Sequence, residues 1–169
     1  VPGSAASGGT GDDDDAMAIA VSDDGSVIVG KSGETDEYAR PVVWVNGTIS
    51  RLDSAGPECG VGDWNFDVIT DLSADGQIAT GNWLDPNGMK EPVYWTVPTR
   101  TRTTLPKLPG DVAGATWCVS ADGRLIGGTS SQAVIWDRVA GTVNTMSNIL
   151  YAAGITAHAG WNLLAVVDM

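Results

Sequence analysis

The chain has 169 residues, of which 43% are apolar, and 21 Asp or Glu against nine Lys or Arg give it a net charge of −12. That acidity repels nucleic acid and anionic lipid alike, and no apolar run approaches the roughly 18 residues a membrane-spanning helix needs, which excludes nucleic acid as a partner and a helical membrane span. The length and the seven Trp suffice for one domain with a real core.

Residues 1–15 combine Gly, Ser and Ala with the acidic run Asp12 to Asp15, lack periodicity, and read as a flexible acidic leader. Residues 16–169 form a single β-repeat domain. Met17, Ile19 and Val21 alternate with small residues, and the register returns in Val68, Thr70, Leu72 and in Ala115, Trp117, Val119, which predicts half-buried opening strands. Each opening strand runs into the same phrase: Ser22-Asp23-Asp24-Gly25, Ser73-Ala74-Asp75-Gly76 and Ser120-Ala121-Asp122-Gly123. Short strands ending at Gly30, Gly81 and Gly128 follow, where glycine permits a bend or a close backbone approach.

A third strand in each unit carries a tryptophan in phase: Trp44 in Pro41–Val45, Trp95 in Pro92–Thr96 and Trp136 in Ala133–Asp137, read as core ribs. Asn46-Gly47 and Ala140-Gly141 supply turns into fourth strands at 48–52 and 142–144. Met146, Ile149, Leu150 and Ala153 lie at helical spacing, with Thr145 or Ser147 as cap and Gly154 as stop, predicting a short helix over 146–153. Ala165–Met169 repeats the opening-strand pattern, so units begin near 17, 68, 115 and 165, the last partial. The chain stops where a fourth Ser-x-Asp-Gly is due, and the expectation is a piece of a longer array or a blade begun elsewhere.

About three units of roughly fifty residues with four short strands each predict an all-β repeat protein, a partial or open β-propeller, with a β-trefoil as the alternative. The phrase Ser-x-Asp-Gly followed by an apolar run to glycine, at Val21–Gly30, Leu72–Gly81 and Val119–Gly128, with Trp44, Trp95, Trp136, the loop Leu108-Pro109-Gly110 and Gly160-Trp161-Asn162-Leu163, resembles the HAF repeats of bacterial extracellular proteins. The resemblance covers residues 16–169. It implies an exported, extracellular or cell-surface location and a propeller-like array without an established catalytic site.

Motifs for chemistry are sparse. Gly25–Ser32 matches G-x4-G-K-[ST], but β-branched residues fill its middle and Gly33 and Pro41 follow where a helix would have to run, so a strand is the reading. Asp71-x-Ser73-x-Asp75-Gly76 resembles the opening of a Ca2+ loop, yet Asn82 stands where the bidentate glutamate belongs, and a side-chain-bonded turn is preferred. His158, the single imidazole, has neither a cysteine nor a nucleophile turn beside it. Catalytic and metal residues are therefore assigned to none, and the chain reads as more binding protein than enzyme. Trp64, Trp83 and Trp161 fall out of phase in expected loops and are the candidate ligand or partner contacts. Cys59 and Cys118 are a disulfide candidate across units 1 and 3. The function expected is a non-enzymatic scaffold acting through other protein subunits, with self-association by strand addition at Ala165–Met169 as one route. The alternatives are a secreted glycan-active propeller enzyme and a sugar-binding module.

Overall fold

The computed structural model describes residues 15–33, 40–52, 69–85, 87–156 and 160–169. The leader up to residue 14, Cys59, Trp64 and His158 lie outside them. The strands are β1 (Asp15–Val21), β2 (Val27–Gly33), β3 (Arg40–Val45), β4 (Thr48–Arg51), β5 (Ile69–Leu72), β6 (Ile78–Leu84), β7 (Lys90–Thr96), β8 (Thr101–Thr104), β9 (Ala115–Val119), β10 (Leu125–Ser130), β11 (Gln132–Asp137) and β12 (Thr142–Thr145), followed by α1 (Met146–Ala152). They form three four-stranded sheets with orders β1-β2-β3-β4, β5-β6-β7-β8 and β9-β10-β11-β12, every pair antiparallel. Each repeat unit is thus one meander, or blade, and the array is an open propeller-like stack of three.

The Ser-x-Asp-Gly phrase builds one identical turn three times. In blade 2 the Ser73 hydroxyl donates to Asp75 Oδ1 at 2.6 Å and accepts from the Ile78 amide at 3.0 Å, while Asp75 Oδ1 also accepts from the Gln77 amide at 2.9 Å. Ser22–Asp24 and Ser120–Asp122 repeat the pattern. The glycine supplies the left-handed residue that closes it, at φ 71°, 70° and 68° for Gly25, Gly76 and Gly123. Of the carboxylates that resemble a Ca2+ loop, Asp75 is engaged this way and Asp71 accepts backbone amides instead, and among the described residues no three acidic, histidine or cysteine side chains converge.

The second strands run three residues past Gly30 and Gly81 and two past Gly128, so these glycines stand inside strands rather than at their ends. The reason is close approach to the first strand at a bulge: a Cβ on Gly30 would lie 2.0 Å from the Met17 carbonyl oxygen, and one on Gly128 2.1 Å from that of Ala115. Gly25–Ser32 is turn and strand, without a helix. In blade 2 the turn into β8 uses Arg100 at φ 56° where blades 1 and 3 use Gly, which is why that fourth strand has no sequence signal. Asn46 and Gly47 are both left-handed, the hairpin turn their pairing predicts. Thr145 Oγ1 accepts from the Asn148 amide at 3.2 Å to cap α1.

The front faces of blades 1 and 2 meet the next blade, and the rear faces of blades 2 and 3 meet the preceding one. Val27, Val29, Val43 and Leu52 on the front of blade 1 pack against Leu72, Ala79, Val93 and Trp95 on the rear of blade 2. Ile78, Tyr94 and Leu105 on the front of blade 2 pack against Val119, Ile126, Val134, Trp136 and Val143 on the rear of blade 3. The front of blade 3, with Cys118, Ala133, Ile135 and Met146, is capped by Leu163 and Val166. The turns are linked across blades as well: the Asp23 amide donates to Ala74 O at 2.9 Å, and the Ala74 amide to Ala121 O at 3.1 Å.

Candidate functional site

Strand pairing aligns one row of side chains across the rear face of every blade. The rows are Val21, Ile28, Trp44, Ile49 in blade 1, then Leu72, Ala79, Trp95, Arg102, then Val119, Ile126, Trp136, Val143. In blades 2 and 3 the tryptophan at the centre is fully buried, each being 0% exposed. In blade 1 Trp44 is only half-buried, Ile28 and Ile49 likewise, and Val21 is 56% exposed. Trp44 is therefore a rib by sequence but a surface residue by position, because among the described residues no sheet stands behind it.

The opposite end is different. Residues 160–169 form no strand, yet they lie against blade 3: the Val166 amide donates to Gly128 O at 3.1 Å and the Ala133 amide to Leu163 O at 2.8 Å. Val166 is buried there, while Trp161, Leu164 and Val167 are 73%, 62% and 70% exposed. The opening strand expected at 165–169 is not formed as a strand; the segment instead lies against blade 3 through these two hydrogen bonds.

Of the three tryptophans singled out, Trp161 alone is an exposed contact candidate among the described residues. Trp83 is not in a loop. It lies within β6, 8% exposed, with the Arg102 guanidinium 3.8 Å from its ring centroid, because β6 continues past Gly81. Cys118 is a free thiol among the described residues, donating to Val166 O at 3.7 Å, and burial, its largest influence, pushes its pKa up to about 11. Buried and protonated in that way, the thiol packs between blade 3 and the segment over it.

No protein-family model matches the sequence, and no curated protein matches it significantly. Among solved structures, TolB from Acinetobacter baumannii is similar with a TM-score of 0.55 at 18% identity, over 79% of this chain and 32% of that one. A putative TolB from Agrobacterium tumefaciens is similar with a TM-score of 0.55 at 20% identity, over 75% of this chain and 44% of that one. The chain therefore spans less than half the length of either structure. What it shares with these β-propeller proteins is the fold, a stack of four-stranded antiparallel blades.

Proposed function

We propose that this chain is an exported, non-enzymatic scaffold that binds other proteins through the two ends of its blade array. The observation that carries the reading is that exposed apolar side chains stand at both ends of the array, Val21 beside the half-buried Trp44 row at one and Trp161, Leu164 and Val167 at the other, in addition to single exposed residues such as Val112 and Val139. Surface of that kind, desolvated by a partner, is a common source of binding energy in protein interfaces. The likeness to TolB structures supports a propeller scaffold, and the resemblance to HAF repeats supports export to the cell surface or beyond. The test is a photo-crosslinking residue at Val21 or Trp161 in the protein expressed in its own host. Discrete protein adducts at either position, absent for the same residue at the exposed turn position Asn87, are expected. Adducts at none of them, with glycan binding that disappears in Trp161→Ala, would replace the scaffold by a sugar-binding module.

A further inference from the structure

The inner surfaces of the array have a fixed grammar: the rear row of one blade receives aliphatic and aromatic side chains from the front of the blade before it. We infer that the rear face of blade 1, built from Val21, Ile28, Trp44 and Ile49, is the docking surface for one further blade of this repeat. The occupant is a four-stranded antiparallel sheet presenting aliphatic side chains where blade 1 itself presents Val27, Val29, Val43 and Leu52 to blade 2. This names the partner at one end of the proposed scaffold and rests on that reading.

Three features of blade 1 share this one gap. The first is the row itself, whose equivalents Leu72, Ala79, Trp95 and Val119, Ile126, Trp136 are buried in the two blade interfaces. The second is the turn glycine. A Cβ on Gly76 would lie 2.9 Å from Val27 of blade 1 and one on Gly123 2.7 Å from Ile78 of blade 2, but among the described residues nothing lies within 4 Å of one on Gly25. The third is the inter-turn chain, in which Ala74 O and Ala121 O each accept from the turn of the preceding blade, whereas among the described residues no donor reaches Asp23 O. A sheet with its own Ser-x-Asp-Gly turn would fill all three at once.

Among the described residues a second copy of the chain offers no free blade front: its front faces are covered by blade 2, by blade 3 and by residues 163–166, and its exposed Trp161, Leu164 and Val167 stand on a segment that is not a paired sheet. A two-fold pairing of rear faces would set Trp44 against Trp44 and leave the turn positions unfilled. The charge of −12 on each copy also opposes such pairing.

The experiment adds the missing element in repeat phase: a duplicate of residues 69–114 placed directly ahead of Met17, so that the front face of the added blade 2 meets the Trp44 row. Acrylamide quenching of Trp44, taken as the difference from the Trp44→Phe variant, is expected to fall several-fold in the extended chain, which stays monomeric by light scattering. Unchanged quenching would overturn the proposal. The unextended chain gives an independent reading, since Ile28→Asp is expected to leave its urea midpoint almost unmoved while the equivalent Ile126→Asp lowers it strongly. Equal losses would mean that the face is already filled, and a native dimer dissolved by Ile28→Asp would assign it to a second copy; either result ends the inference. Loss of crosslinked partners at both ends would instead defeat the scaffold reading and leave the burial of Trp44 by an added blade unaffected.

Discussion

Asp71 in blade 2 accepts the backbone amide of Val119 in blade 3 through Oδ2 at 2.8 Å, while its Oδ1 accepts the amide of Leu72 at 2.8 Å. One carboxylate thus satisfies two strand amides, one of them across a blade boundary. A charged acceptor is worth more here than a neutral one, and removing it strands a partly buried donor. Asp71→Ala is expected to destabilise the chain by about 1–3 kcal/mol in urea unfolding, and added Ca2+ is expected to leave the wild-type midpoint unchanged. A calcium-dependent rise in the midpoint would restore the cation reading of this Asp-x-Ser-x-Asp segment.

The three turn glycines share one backbone conformation but not one environment. Among the described residues Gly25→Ala meets only the left-handed strain of a non-glycine residue, about 1 kcal/mol. Gly123→Ala meets that strain and also a Cβ 2.7 Å from Ile78 Cγ1, so blades 2 and 3 have to separate locally. Its loss should exceed that of Gly25→Ala by at least about 1 kcal/mol, the scale of an overpacked core, as thermal unfolding of the two variants would show.

Acid should loosen the turns before it melts the sheets. Asp24 is held at about 2, below its ordinary value of 3.8, chiefly by the Ser26 amide and then the Ser22 hydroxyl. Asp137 is held at about 2 chiefly by the side chain of Arg124, whose Nη2 lies 2.6 Å away, and Asp122 is lowered first by the Ser120 hydroxyl. Because the folded values lie below the unfolded ones, the stabilisation is complete above the unfolded value of 3.8 and is lost as the pH falls towards about 2. The urea midpoint should drop across that window, and the combined Asp24→Asn, Asp122→Asn and Asp137→Asn variant should show a shallower drop.

Gly127 separates the Cys118 thiol from the segment that caps blade 3. A Cβ there would lie 2.6 Å from Sγ and 2.7 Å from Val166 Cγ1. Gly127→Ala is therefore expected to lift residues 163–166 from the sheet and to speed labelling of Cys118 by a thiol reagent at least tenfold at neutral pH, with Val166→Ala giving a smaller rise. Unchanged labelling in Gly127→Ala would show that the segment does not guard the thiol.

The sequence by itself determined the local design. A Ser, an Asp and a Gly at fixed spacing dictate a turn whose hydrogen bonds close within six residues, so Ser22–Val27, Ser73–Ile78 and Ser120–Leu125 were legible without any neighbour. The same holds for the Asn46-Gly47 hairpin and for α1, because their signals lie in backbone preference and short-range spacing. β8 was not legible, since Arg100 takes a left-handed turn position that composition assigns to glycine. The tertiary structure decided what each tryptophan does. Trp44, Trp95 and Trp136 sit in one phase of the repeat, and Trp83 sits out of it, yet Trp44 is on the surface and Trp83 is within the core. Periodicity gives the face on which a side chain stands. Whether that face is wet depends on which sheet stacks against it, a contact between residues some fifty positions apart that no local pattern encodes.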